Sequence, residues 1–200
     1  MHPADGTNPF RRPLTLCDWH FAYGLPVRPG EYLTSEVCGG FADQLVGGYQ
    51  DWNEYEATLH RLQAVFSPFE AAGLNVALGP RPRIFCNLLQ RQHAVILVTH
   101  ARKATETDDG AIEFQGKMVP FRWIVGKVSR SFGGILDICA CESEGIQEPL
   151  KRRAPGCATK VADKQLKLDM WIAYYAEFLR LFFEAPTTYY DAITQVRSLI

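Results

Sequence analysis

Two segments of the chain are apolar at nearly every position rather than at alternate ones. They are Ala94-Val95-Ile96-Leu97-Val98, which runs into Thr99-His100, and Gly134-Ile135-Leu136-Asp137-Ile138-Cys139-Ala140-Cys141, broken by one carboxylate. Continuous apolarity over about four to eight residues marks a strand buried on both faces, as in a parallel sheet covered by helices. Elsewhere the period changes. From Trp52, apolar residues recur at Tyr55, Leu59, Leu62, Phe66 and Phe69, a helical spacing with Asp51 placed to cap the start, Gly73 to end it and Pro68 to kink its last turn. Residues 74–78 predict a short strand, and 84–89 a short helix after the Pro80-Arg81-Pro82 turn. Beyond His100 a polar loop over 102–109 leads into Ala111-Ile112-Glu113-Phe114 and Lys117-Met118-Val119 around Gln115-Gly116, the pattern of a small hairpin. A helix is predicted over 121–129. Residues 144–164, with Pro149, Pro155 and the run Lys151-Arg152-Arg153, predict a loop, and the chain closes with helices over 168–184 and 187–200. In the first of these, Trp171, Tyr174, Tyr175, Phe178, Leu181 and Phe182 make a broad face suited to packing on a sheet.

Strands alternating with helices, and strands apolar throughout, predict an α/β fold with a doubly wound, mostly parallel sheet. The first thirty residues, rich in Pro and Gly, read as an irregular arm with one extended segment over 14–23. The expected division is therefore an arm with a first strand over 1–50 and a core over 51–200, within a single domain. With 200 residues, 47% hydrophobic and 12% aromatic, the chain can build a continuous core without metal or disulfide staples.

Charge narrows the partners. Lys and Arg number 21 against 22 Asp and Glu, so the strong positive field that non-specific nucleic-acid binding needs is missing, and no nucleic acid is expected. The opening Met1-His2-Pro3-Ala4-Asp5-Gly6 has neither the basic flank nor the apolar core of a secretory signal. The most apolar stretch, 170–183, is broken by Glu177 and Arg180, so a cytoplasmic location without membrane attachment is expected. Six cysteines (Cys17, Cys38, Cys86, Cys139, Cys141 and Cys157) are scattered without paired Cys-x-x-Cys spacing, which argues against a zinc site and for small buried thiols; no metal or organic cofactor is expected.

The chemistry lies at the ends of the two buried strands. In open parallel sheets functional groups gather at the carboxyl ends of strands, and there the chain carries His100 on one strand and the Cys139/Cys141 pair on the other. An imidazole beside a thiol brings the thiolate, the nucleophilic form, within reach near neutral pH. Period-two alternation puts Asp137, Cys139 and Cys141 on one face, and the exit position favours Cys141 as the thiol that meets substrate, with Cys139 one step deeper. Asp137, in an otherwise apolar strand, needs a partner. One reading makes it a hydrogen-bonded structural carboxylate. The other, with Cys139, makes it part of a substrate pocket, where it would pair with Arg or Lys of the substrate.

Helix, strand, short helix, strand ending in His, hairpin, strand ending in Cys: this order resembles the caspase fold, and within it the bacterial CHAT branch of caspase-like cysteine peptidases. The resemblance rests on Val95-Ile96-Leu97-Val98-Thr99-His100, on Gly134-Ile135-Leu136-Asp137-Ile138-Cys139-Ala140-Cys141-Glu142-Ser143, and on the aromatic helix, short break and final helix over 171–197; it covers roughly residues 52–200. It implies a caspase-like three-layer sandwich with a mostly parallel central sheet and a small β-hairpin insertion. It further implies a cysteine endopeptidase acting through a Cys-His dyad, with His100 as general base, Cys141 as nucleophile, and backbone amides near Ala101 and Cys141 holding the oxyanion. Protein or peptide is then the substrate. Bacterial relatives of this branch serve antiviral defence or cell death beside sensor modules, so a separate activating protein is implied. Two departures stand out: Ala101 replaces the glycine that usually follows the histidine, and after Cys141 the glycine arrives one residue late, at Gly145. They motivate an alternative, an inactive caspase-like platform for protein interactions. In caspases the segment after the catalytic Cys is processed, which marks Arg152 and Arg153 as a candidate self-cleavage site; the other reading is a solvated charged loop. A flavodoxin-like small-molecule binder would share the architecture, but no Gly-rich phosphate loop follows any strand.

Overall fold

The computed structural model of the protein describes residues 8–35, 49, 51–90, 93–140, 142–162 and 168–197. In chain order its elements are β1 (Pro13–Leu14), β2 (Trp19–Tyr23), α1 (Pro29–Thr34), α2 (Trp52–Ala71), β3 (Asn75–Leu78), α3 (Pro82–Leu88) and β4 (Ala94–Val98). There follow β5 (Ala101–Arg102), β6 (Ala111–Phe114), β7 (Lys117–Pro120), α4 (Phe121–Lys127) and β8 (Ile135–Cys139). The last are α5 (Gln147–Arg153), β9 (Ala158–Val161), α6 (Leu168–Glu184), β10 (Thr187–Thr188) and α7 (Tyr189–Arg197). A five-stranded sheet in the order β3-β2-β4-β8-β9 forms the centre, and every pairing in it is parallel.

Alternation along the strands separates two cores. Trp19, Phe21 and Tyr23 of β2, Ala94, Ile96 and Val98 of β4, and Ile135 and Cys139 of β8 face one side, where α2, α6 and α7 cover them with Phe66, Tyr175, Phe178 and Ile193. Val95 and Leu97 of β4 and Leu136 and Ile138 of β8 face the other, against Phe85 of α3, Phe121 of α4 and Leu150 of α5. Helices on both faces of a parallel sheet make a three-layer α/β sandwich. β4 is apolar throughout, and β8 at every position but Asp137, because both faces are buried. Among the described residues no helix is long and apolar enough to cross a membrane.

Local chemistry sets the ends of the elements. The Asp51 carboxylate accepts the Glu54 N–H at 3.0 Å at the start of α2, and beyond its end Gly73 takes φ +110°, a conformation that side chains disfavour. Pro68 removes one backbone donor, yet α2 runs on to Ala71. The β6–β7 turn has Gln115 at φ 53° and Gly116 at φ 75°, the two left-handed residues of a tight hairpin turn.

Three features differ from the sequence reading. The extended segment over 14–23 divides into β1, a 3₁₀ turn at Leu16–Asp18 and β2, and β2 lies between β3 and β4 inside the sheet. The expected boundary at residue 50 thus leaves a central strand outside the core it belongs to, and β1 is tied to β10 through Pro13 opposite Thr188. The hairpin gains a third strand, β5, paired with β6. The predicted loop over 144–164 holds a 3₁₀ turn, α5 and β9. Ile146, Leu150 and Ala154, four residues apart, bury one stripe in the second core. Pro149 is accommodated because it stands in the first turn of α5, where no N–H is required.

Candidate active site

β4 and β8 are neighbours in register, with Val98 opposite Cys139, and the Thr99 N–H donates to the Cys139 carbonyl at 3.0 Å as the last rung. The strand that ends in His and the strand that ends in Cys therefore terminate side by side. His100 follows at once and is buried. On β8 the chain turns after Ala140: the buried Ser143 donates from Oγ to the Ala140 carbonyl at 2.8 Å, and Glu142 is left-handed at φ 58°. Such a conformation costs a non-glycine residue on the order of 1–2 kcal/mol and tends to be kept near functional sites. Cys141 itself lies outside the described residues.

The small sheet β5–β6–β7 clamps the end of β4. Glu113 donates its N–H to the His100 carbonyl at 2.8 Å and accepts Thr99 Oγ1 on its own carbonyl at 2.6 Å. Because Glu113 bonds His100, the neighbours Ala101 and Ile112 form the non-hydrogen-bonded pair of the β5–β6 ladder, and the Ala101 N–H is directed away from β6. Among the described residues Gln115 and Glu142 are the non-glycines with positive φ, so Ala101 occupies a conformation open to any residue. The position does not require the glycine it lacks.

The strand order reverses between β2 and β4, and the carboxyl ends of these two strands are where such folds leave a crevice. Here the hairpin fills it. Gly24 donates to the Val98 carbonyl and accepts the Gln115 N–H, both at 2.8 Å, and Gln115 Nε2 reaches the Gly79 carbonyl at 2.7 Å. Gly24 has no side chain for a reason: a Cβ there would stand 2.8 Å from Thr99 Oγ1 and 3.0 Å from the Glu113 carbonyl. Gly24, Thr99 and Glu113 were not singled out in the sequence. A glycine directly after an extended segment was a signal available for the first; the other two matter only through contacts between distant elements.

Cys139 ends β8 and Asp137 lies two residues deeper along the strand, both on the face covered by α6 and α7. Asp137 has no exposed surface. Its Oδ1 accepts Lys160 Nζ at 3.3 Å and its Oδ2 accepts the Tyr189 hydroxyl at 2.7 Å. The ammonium of Lys160 lies 5.6–6.0 Å from the ring centres of Trp171, Tyr174 and Tyr175. Burial pulls the Lys160 ammonium down, but the Asp137 carboxylate, with help from Tyr174 and Cys139, outweighs it and the net shift is upward. Burial dominates for Tyr189 and, with Asp137 adding to it, holds that hydroxyl in its protonated, donating form. Cys139 is 1% exposed and lies in the first core.

Arg152 and Arg153 occupy the last turn of α5, not a loop, and Arg153 Nε donates to the Val128 carbonyl at 2.9 Å. A peptidase takes its substrate extended, so a cut there requires this turn to open first. Two other thiols are made poor nucleophiles by their surroundings: burial pushes Cys86 up to about 11, with Lys127 partly opposing, and burial likewise raises Cys157. Among the described residues no group of three or more His, Cys, Asp or Glu side chains is placed to hold a metal ion.

No family model, no curated protein and no solved structure matches the chain.

Proposed function

We propose that the chain is a cysteine endopeptidase of caspase-like, CHAT type, with His100 as general base and Cys141 as nucleophile. The observation that carries this reading is the β4–β8 register, in which the strand leading to His100 and the strand leading to Cys141 end as hydrogen-bonded neighbours. A three-stranded antiparallel insertion stands between them in sequence and clamps the His end.

In this mechanism His100 takes the proton from the Cys141 thiol, and the thiolate sulfur bonds to the carbonyl carbon of a peptide. The carbonyl oxygen becomes an oxyanion, received by backbone N–H groups near Ala101 and Cys141. The C–N bond breaks as His100 returns the proton to the leaving amine, and water then hydrolyses the thioester. The substrate is a protein or peptide. A partner-activated enzyme of the bacterial cytoplasm, acting in defence or cell death, is the setting the resemblance supplies. Filling of the β2/β4 crevice by hairpin backbone weighs against a flavodoxin-like ligand site.

The test is cleavage of a proteome-derived peptide library, alone and with cell lysate, together with labelling by a thiol-reactive peptide probe. Wild type, Cys141→Ala, Cys139→Ala and His100→Ala are compared. Activity and labelling lost in Cys141→Ala and His100→Ala but kept in Cys139→Ala are the expected result. Absence of both in the wild type under every condition would turn the assignment to an inactive interaction platform.

A further inference from the structure

We propose that Glu113 is a positioning residue for His100, an inference that rests on the peptidase reading above. The β5–β6 ladder pairs Ala101 with Ile112 and Arg102 with Ala111, and the next pair in that antiparallel register is His100 with Glu113. The 2.8 Å bond from the Glu113 N–H to the His100 carbonyl fixes that rung. Residues directly opposite on antiparallel strands point to the same side, with Cβ atoms roughly 4.5–5.5 Å apart. Ala101 and Ile112 both turn into the second core, so His100 and Glu113 share the opposite face of the ribbon.

Burial gives this juxtaposition chemical meaning. Glu113 has no exposed surface, and both of its carboxylate oxygens are buried, as is Nδ1 of His100. A carboxylate is retained in an interior only where its charge or its hydrogen-bonding capacity is used. The side chain that the ladder sets opposite it is an imidazole. The charge of a carboxylate on the same face as the buried Nδ1 favours the proton on that nitrogen, leaves Nε2 to take the thiol proton, and stabilises the imidazolium that results. The second anchor, Thr99 Oγ1 to the Glu113 carbonyl at 2.6 Å, holds the two backbones together so that the side chains keep this relation. A two-residue dyad thereby becomes a chain of Glu113, His100 and Cys141.

Alkylation by iodoacetamide, followed by mass spectrometry of the digested protein so that the Cys141 peptide is read apart from that of the exposed Cys17, needs no knowledge of substrate. It would be compared in wild type, Glu113→Gln, Glu113→Asp and His100→Ala, with thermal denaturation to check folding and ¹⁵N spectra of the histidine rings. Glu113→Gln is expected to slow alkylation by about tenfold or more at unchanged fold, to move the His100 ring nitrogens, and to be partly rescued by Glu113→Asp. His100-dependent alkylation with Glu113→Gln equal to wild type would overturn this inference alone. Alkylation indifferent to His100 would overturn the peptidase reading with it. Should Glu113→Gln fail to fold, the wild-type spectrum decides: the proton on Nδ1 supports the inference, and the proton on Nε2 with Nδ1 bare overturns it.

Discussion

Asp137 and Lys160 are partners across the β8–β9 ladder, and their side chains meet at 3.3 Å on the face that α6 covers. The carboxylate is fully buried, the ammonium is sheathed by three aromatic rings, and Tyr189 brings the end of the chain onto the same carboxylate. Removing one member of a buried pair leaves the other charged and unmatched, at roughly 3–5 kcal/mol. Asp137→Ala and Lys160→Ala are each expected to destabilise on that scale, and Tyr189→Phe by about 1–2 kcal/mol, in urea denaturation. A further variant, Asp137→Asn, separates the two roles read from the sequence. An altered preference at the scissile position with undiminished stability would make Asp137 part of the substrate pocket; lost stability with unaltered preference is expected.

Gly24 offers a way to disturb the site without touching its chemistry. Alanine there would press on Thr99 Oγ1 and the Glu113 carbonyl, the pair that holds the hairpin to the end of β4. Gly24→Ala is expected to cost about 1–3 kcal/mol and to slow Cys141 alkylation, because His100 shifts with Thr99. Gly30 lies within α1 with nothing within 4 Å of a built Cβ, so Gly30→Ala should stabilise by about 0.4–1 kcal/mol and leave alkylation alone. Thermal denaturation and the alkylation rate read both variants.

At the opposite end of the sheet, His20 of β2 meets His93 just before β4 ring to ring. Burial, then the neighbouring His93, holds His20 below the ordinary histidine range, with Asn75 partly opposing. The unfolded chain takes up this proton near pH 6.5, while the folded protein resists it to lower pH. Stability from this pair is therefore present above about pH 6.5 and is lost as pH falls through the depressed folded value. His20→Gln should flatten the fall in melting temperature between pH 7 and pH 5 relative to wild type. An identical slope in the two proteins would show that His20 does not set it.

What could be read from the residues was whatever depends on neighbours in sequence. β4 and β8 announced themselves because a strand buried on both faces is apolar at nearly every position, and α2 because its stripe, its Asp51 cap and its Gly73 end are local. The hairpin was legible from Gln115-Gly116, and the candidates His100 and Cys141 were picked out by their places at the ends of apolar runs. β9 escaped because a four-residue edge strand, Ala158–Val161, carries too little apolar pattern to be seen alone, and α5 because Pro149 and three basic residues mask its single buried stripe.

The rest belongs to the tertiary structure. That Trp19–Tyr23 is a central strand rather than part of an arm follows from its pairing with β3 and β4, segments more than fifty residues away. Asp137 found its partners in Lys160 and Tyr189, and Glu113 came to stand opposite His100, through pairings that no local pattern encodes. Burial propensity is a property of single residues and short periods, and the chain displays it openly. Which buried polar group meets which is decided when strands choose their neighbours and register, because only then are a buried carboxylate and the groups that can stabilise it brought to the same face.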